Sequence, residues 1–388
     1  MSGVFGIIRL PGAVVADVEL TPMAETLKHR GPDGINYFAR GNAGLGHCML
    51  QSTPESLHEV LPFRDEAAGM TITADARIDN REQLFADIPV RATGGQVITD
   101  SQLILHAYLK WGEACVDHLL GDFVFAIWDE RSQSLFVARD HMGCKPFYYH
   151  CRDGLFVFAS SAMAVARVPE VKATLNEGRV ADYLVQELEG INKTCSWYNE
   201  ISRMPPAQCG YFRNNHFQYR QYWTLEPTDL SHLKTDEDYL QAFTEVYTEA
   251  VRCRLRCQTE PASMLSGGLD SSTIVALARD IQASKGHASL RTYSGISETG
   301  EISGETRSVL AVISQGKLRS NCLQPPDLDV YATDLNNGFS LLEDPFDGSW
   351  VLLSMMFMKA AQDGVRILLS GLDGDHAVGA PTNYLRII

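Results

Sequence analysis

Residues 266–272 read Ser-Gly-Gly-Leu-Asp-Ser-Ser, directly after an apolar run at 262–265 and directly before a helical pattern over 272–284. No other string in the chain restricts the fold as much. Gly267 and Gly268 let the backbone turn tightly and approach a ligand with no Cβ in the way. A helix opening at Asp270 or Ser271 offers free N–H groups and a positive dipole end to an anion. Ser266, Ser271 and Ser272 add hydroxyl donors. Asp270 would repel a bare phosphate, which implies a bridging Mg²⁺. No lysine completes a Walker-type loop, so the string predicts a different phosphate cradle. A plain glycine–serine turn that caps a helix is the ordinary alternative, and seven matched residues after a strand are more specific than that.

A turn of this kind needs strand, loop and helix in succession, and the flanking sequence repeats the unit. The spacing predicts a helix over 237–256 with Tyr239, Phe243, Val246, Ala250 and Val251 on one face. Strands are predicted at 290–294 and 365–369, and helices at 304–315 and 355–362. Alternating strand and helix predict a parallel sheet with crossover helices, whose ligands bind beyond the carboxyl ends of the strands. Ser370-Gly371-Leu372-Asp373-Gly374-Asp375 falls at a second such end, where Asp270 and Asp375 together suit Mg²⁺ on a triphosphate.

The first half has a different pattern. Short apolar or alternating runs at 3–10, 43–50, 70–76, 123–128, 134–138 and 154–160 predict strands in hairpins. One clear helix lies among them at 101–111. This predicts an α+β sandwich, with the domain boundary near 225–235.

Composition narrows the class. The chain has 388 residues, 45% hydrophobic and 21% charged, enough for two or three domains. No apolar run is long enough to span a bilayer, and the start lacks the features of a signal peptide, so a cytoplasmic protein is expected. A net charge of −15 argues against general nucleic-acid binding. Nine scattered cysteines form no paired clusters, and Cys253 and Cys257 read as ordinary thiols rather than zinc ligands.

Three further strings complete a recognisable set: His29-Arg30-Gly31-Pro32-Asp33, Gly121-Asp122-Phe123, and Arg139-Asp140-His141-Met142-Gly143-Cys144-Lys145-Pro146-Phe147-Tyr148-Tyr149. With the loops at 266–272 and 369–375, the chain resembles the asparagine synthetase superfamily from near residue 1 to its end. The resemblance implies an Ntn-hydrolase-like αββα sandwich of glutaminase type over 1–225. It also implies an α/β adenine nucleotide α-hydrolase-like domain over 235–388, which ends early and is incomplete. The second domain would adenylate a carboxylate with ATP and Mg²⁺, release pyrophosphate, and let an amine attack the acyl-adenylate. By the family pattern, 266–272 hold the pyrophosphate end, Asp270 and Asp375 hold Mg²⁺, and Met264, Leu265, Ser294, Ser370 and Gly371 surround the adenosine.

The sequence departs from the family in both halves. Ser2 stands where an active glutaminase exposes cysteine, and a hydroxyl needs stronger activation than a thiolate. Met49 stands where glutamine binding uses arginine. Asp75-Ala76-Arg77 replaces Asn-Gly-Glu, and an aspartate repels a developing oxyanion instead of donating to it. Asp100 matches a glutamine-binding aspartate and is the one retained position. An inactive glutaminase-like domain is therefore expected.

In the synthetase loop Leu372 takes the place of a glutamate thought to act as a base. That change resembles the amide-forming branches that have lost glutamine use, lasso-peptide cyclases first and β-lactam synthetases behind them. The resemblance then implies closure of a macrolactam on a peptide substrate, with a leader-peptide protease or recognition protein as partner. It also implies a second chain or further residues to supply the rest of the domain. Asparagine synthetase is the alternative, and a truncated, non-catalytic binding protein the second alternative. Ser2 and His376 are the weak candidates for a catalytic group, and Arg307 reads as a solvated helix start rather than a phosphate ligand.

Overall fold

The computed structural model describes residues 1–88, 97–185, 188, 190–298, 303–345 and 350–374. The chain divides into two compact units, Met1–Pro227 and Thr228–Ile388. No helix among the described residues is long and apolar enough to cross a membrane.

The first unit contains the strands β1 (Gly3–Arg9), β2 (Ile35–Arg40), β3 (Ala43–Cys48), β4 (Phe63–Asp65), β5 (Met70–Ile78) and β6 (Gly121–Asp129). It continues with β7 (Ser134–Arg139), β8 (Tyr148–Arg152), β9 (Leu155–Ala159), β10 (Ser202–Arg203), β11 (Gln208–Arg213) and β12 (His216–Gln221). Its helices are α1 (Asp17–Thr26), α2 (Arg81–Asp87), α3 (Asp100–Trp111), α4 (Ala162–Val165) and α5 (Glu177–Leu184). The strands form two six-stranded sheets, ordered β10-β8-β9-β1-β3-β2 and β12-β11-β7-β6-β5-β4.

The apolar runs are continuous because these strands are buried on both faces. In β6, Val124, Ala126 and Trp128 enter the core between the sheets, where they join Val4, Ile8, Phe156 and Phe158. Phe123, Phe125 and Ile127 point the other way and pack with Leu103 and Ile104 of α3. On the far side, Phe5, Ile7 and Val157 meet Leu20 and Met23 of α1 and Val165 of α4. The layers are helix, sheet, sheet, helix, an Ntn-type αββα sandwich. The inner strands alternate their side chains between the central core and an outer one.

The second unit runs α6 (Asp236–Arg254), β13 (Ala262–Met264), α7 (Leu269–Ser284), β14 (Leu290–Gly295) and α8 (Gly304–Ser314). It continues with β15 (Leu318–Leu323), α9 (Leu328–Phe339), α10 (Val351–Gln362) and β16 (Leu368–Leu369). The four strands form one sheet in the order β15-β14-β13-β16, and every pairing is parallel.

The apolar face expected of α6 is only partly covered. Val251 is buried, yet Tyr239, Phe243 and Val246 are exposed. Helical periodicity reports that a face is apolar; neighbours decide which part of it is covered. Here Val251 and Leu255 join the α7 core with Val275 and Ala278, and the rest of the stripe lies open.

Candidate functional site

The loop after β13 and the loop after β16 emerge side by side, because β13 pairs in parallel with β16 from Ala262 opposite Leu368 to Ser263 opposite Leu369. Helix α7 starts at Leu269, with Gly268 as its N-cap and Asp270 in its first turn. Ser271 Oγ organises the turn. It accepts from Ser266 N at 3.2 Å, lies 2.9 Å from Ser266 Oγ, and donates to Gly268 O at 3.3 Å. Gly267 has φ +84°, and a Cβ there would sit 2.9 Å from the Glu305 carbonyl and from the Val309 backbone nitrogen. The turn is thus pressed against the start of α8, where only glycine fits.

The second loop is clamped onto the first. A Cβ on Gly371 would lie 2.7 Å from Ser271 N, and one on Gly374 would lie 2.4 Å from Asp270 Cγ. Between them Asp373 takes φ +62°, and Leu372 N–H donates to Ser370 Oγ at 3.0 Å. The two strings, a hundred residues apart in sequence, meet at the Asp270 carboxylate. Asp270 has no ion-pair partner among the described residues. Its hard carboxylate oxygens, at a helix start that favours anions, fit a divalent cation shared with a phosphate. Asp375 and His376, expected as metal ligand and acid or base, lie outside the described residues.

The other expected positions line the same strand ends. Met264 and Leu265 are buried, and Leu265 N–H extends the ladder to Tyr293 O at 2.8 Å. Ser294, at the end of β14, is fully buried, and its Oγ has no hydrogen-bond partner among the described residues. An unpaired buried hydroxyl costs about 1–3 kcal/mol. Arg307 is exposed at the start of α8.

The first unit holds a second polar cluster, at the residues aligned above with a glutaminase site. Ser2 is buried, and its Oγ accepts from Leu50 N at 2.9 Å and donates to Leu50 O at 3.4 Å. Asp75 is paired with Lys145 at 2.9 Å, Arg77 with Asp79 at 2.8 Å, and Asp100 with Arg81. Asp100 also accepts from Ile78 N at 3.2 Å. Asp100, expected as a glutamine-binding position, is therefore already paired with a cation of the same chain. Met49 is buried and brings no charge.

Burial sets the proton affinities here. His47 sits in the core with neither ring nitrogen partnered among the described residues. Desolvation lowers its pKa to about 4, and the nearby Asp75 charge opposes this only in part. Cys48, next to it and opposite Gly3 in the β1–β3 pair, is pushed up to about 12 by burial. It is no substitute for a nucleophilic thiolate. Glu59 accepts from Ser101 N at 3.0 Å at the start of α3. Desolvation raises its pKa to about 7; the Ser101 hydrogen bond opposes the shift and the Asp100 charge adds to it.

Sequence reasoning missed Lys145, Arg81 and Glu59. Lys145 lay inside a recognised string without a role, and Arg81 and Glu59 carried no motif at all. Their partners are remote in sequence, so only an expected but absent counter-charge could have pointed to them.

Comparison with known proteins agrees with the two-part layout. The glutamine amidotransferase domain family matches residues 1–223, and the asparagine synthase family matches residues 242–386. Asparagine synthetase [glutamine-hydrolyzing] 3 of Bacillus subtilis is 30% identical over 76% of this chain and 48% of its own length. Asparagine synthetase [glutamine-hydrolyzing] 1 of the same organism is 24% identical over 99% of this chain and 59% of its own length. Amidase chyE of Penicillium rubens is 28% identical over 68% of this chain and 38% of its own length. The chain thus spans about half the length of these relatives. With an amidotransferase-type sandwich followed by an asparagine synthase unit, the chain belongs to the asparagine synthetase superfamily.

Proposed function

We propose that this chain carries an ATP-dependent carbon–nitrogen ligase centre that activates a carboxylate as its adenylate and does not draw its nitrogen from glutamine. The observation that carries the reading is the clamp of Gly371 and Gly374 on Asp270 and Ser271, which assembles one anion-binding centre from two strand ends. In this reading the N–H groups and hydroxyls of Ser266, Gly267, Gly268, Ser271 and Ser272 hold the pyrophosphate end. Met264, Leu265, Ser294, Ser370 and Gly371 border the adenosine. Asp270 and Asp375 would hold Mg²⁺, which supplies charge neutralisation of the triphosphate.

The carboxylate oxygen attacks the α-phosphorus and pyrophosphate leaves. The amine then attacks the acyl carbon and AMP leaves. Loss of glutamine use rests on the three ion pairs of the first unit. Asp75 and Arg77 reverse what an oxyanion and a substrate ammonium require, and Asp100 is neutralised by Arg81.

Two identities of the carboxylate follow. The names of the relatives favour aspartate, converted to asparagine. Leu372 in place of a base favours a side-chain carboxylate of a lasso precursor peptide, closed by the peptide's own amine.

Pyrophosphate exchange tests the reading. The protein is incubated with ATP, Mg²⁺ and labelled pyrophosphate, with either L-aspartate or an aspartate-containing peptide. Exchange with aspartate alone removes the macrolactam version. Absence of exchange, together with absence of ATP binding by calorimetry, removes the ligase. Release of glutamate from glutamine above background would overturn the account of the first unit.

A further inference from the structure

We infer that a cleft on the outer face of the sheet β10-β8-β9-β1-β3-β2 binds a free α-amino acid between His150 and Lys172. It lies wholly within the first unit and does not depend on the ligase reading.

The cleft encloses about 400 Å³, and strand register builds it. Leu155 of β9 stands opposite Arg9 of β1 on one side and opposite Arg152 of β8 on the other. Residues opposed across a ladder share a face, and Leu155 belongs to the outer core with α1 and α4. Both arginines therefore flank it on that face, with Cα atoms about 10 Å apart. One step along β8, His150 opposes Val157 of the same core. Ser2 precedes β1 and Arg9 ends it, so the cleft is about 23 Å along the strand from the polar cluster described above.

The charges do not balance in pairs. Arg9 meets Glu19 at 2.6 Å and Glu170 at 2.7 Å, and Arg152 meets Glu200 at 3.4 Å and Asp153 at 3.5 Å. Four carboxylates thus share two guanidinium groups. Lys172 also lines the cleft and has no ion-pair partner among the described residues.

His150 is the fixed element. Its Nδ1 lies 2.8 Å from the Glu200 carbonyl oxygen, which can only accept, so Nδ1 carries the proton. In the neutral ring Nε2 is then a bare acceptor. The side chain is 6% exposed and lines the cleft, and Nε2 has no partner among the described residues. A water on Nε2 would satisfy the ring and leave the carboxylate surplus and Lys172 unanswered.

The groups left over are one acceptor, a surplus of carboxylate and one cation. A matching ligand carries a positive donor and a negative group on one small frame. Phosphate or a dicarboxylate brings no positive donor and is repelled by the carboxylates. An α-amino acid has both parts. Its ammonium donates to His150 Nε2, with Glu170 and Glu200 in the same lining, and its carboxylate meets Lys172. Leu155 supplies an apolar floor for the side-chain stem.

Calorimetric titration of the full chain with a panel of α-amino acids, in the absence of ATP, tests this. At least one is expected to bind with a Kd below about 1 mM. Its amide lacks the carboxylate, and its N-acetyl and α-hydroxy analogues lack the ammonium. Each is expected to bind at least about tenfold more weakly. His150→Asn keeps a donor for the Glu200 carbonyl and removes the Nε2 acceptor; it should weaken binding about tenfold. Lys172→Ala, at an exposed position, should weaken it about threefold to fivefold, and less in high salt. Thermal melting checks folding, and Lys172→Ala with the ligand analogues carries the test if His150→Asn fails to fold. No binding by any α-amino acid up to about 10 mM overturns the inference. So does equal binding of the amide or the α-hydroxy acid. An isotherm unchanged in both variants places the ligand elsewhere, the strand-end loops of the second unit included, and overturns it as well. Each of these outcomes leaves the ligase reading standing.

Discussion

In the first unit the charged groups at the expected glutamine positions are each paired within the unit. In the second unit two groups at the strand ends are without such partners among the described residues. Asp75, Arg77 and Asp100 each have an ion-pair partner within the unit, and Ser2 Oγ is spent on the Leu50 backbone. Asp270 has no ion-pair partner among the described residues, and the buried Ser294 Oγ has no hydrogen-bond partner there. A buried polar group satisfied from within contributes to folding and is lost to ligands; one left open costs stability until a ligand meets it. His47 in the first unit carries unpartnered buried nitrogens as well, so the contrast lies in the ion pairs, which Asp75 and Asp100 have and Asp270 lacks among the described residues.

The sharpest way to break this contrast is Gly374→Ala. Its Cβ would fall 2.4 Å from Asp270 Cγ, so the clamp must open. Pyrophosphate exchange is expected to fall more than about 100-fold, a loss of roughly 3 kcal/mol or more in the activation step. Circular dichroism should show the fold retained. Exchange within about threefold of wild type would mean that the two loops work separately.

Next in size is Arg81→Ala, which leaves the buried Asp100 without its cation. Removing one partner of a buried pair typically costs about 3–5 kcal/mol. The backbone N–H of Ile78 remains on Asp100, so about 2–4 kcal/mol is expected in urea unfolding of the first unit. ATP binding should be unchanged. A loss below about 0.5 kcal/mol would show that the pair is not structural.

The smallest effect concerns pH. Glu59 has a folded pKa of about 7 against 4.5 for the free side chain. Folding therefore favours its protonated form. That contribution is complete below about pH 4.5 and is lost as pH rises through 7. Glu59→Gln keeps an acceptor for Ser101 N and removes the titration. It should stabilise the unit by roughly 1–2 kcal/mol at pH 8 and by almost nothing at pH 4.5. His47, lowered from 6.5 to about 4, acts on the acid side. Its contribution is complete above pH 6.5 and is lost as pH falls through 4. Equal stabilisation by Glu59→Gln at both pH values would place Glu59 in solvent.

The legible parts of this molecule were those written locally. The runs in β1, β3, β5, β6, β7 and β9 stand out because strands buried on one or both faces are largely apolar or alternating. β12 exposes His216, Gln218 and Arg220 on one side, and the polar β15 reads Leu-Arg-Ser-Asn-Cys-Leu. Sequence reading passed over both, because an edge strand has no need of a second apolar face. Helix α9 was missed as well; Leu328–Phe339 carries Asp, Thr and two Asn, weak helix formers held there by Tyr331 and Leu335 in a small core.

By itself the sequence determined the two strand-end loops, the parallel α/β unit around them, and which residue types stand at the positions expected to grip glutamine. Each of these depends on a string of neighbours, where glycine permits a backbone shape or a charge stands in the wrong sign. Only the tertiary structure decided that Gly371 and Gly374 rest on Asp270. It alone showed that Lys145 and Arg81 answer Asp75 and Asp100, and that most of the α6 stripe is uncovered. Those outcomes depend on which surfaces meet across tens of residues or more, and residue type alone does not specify the partner.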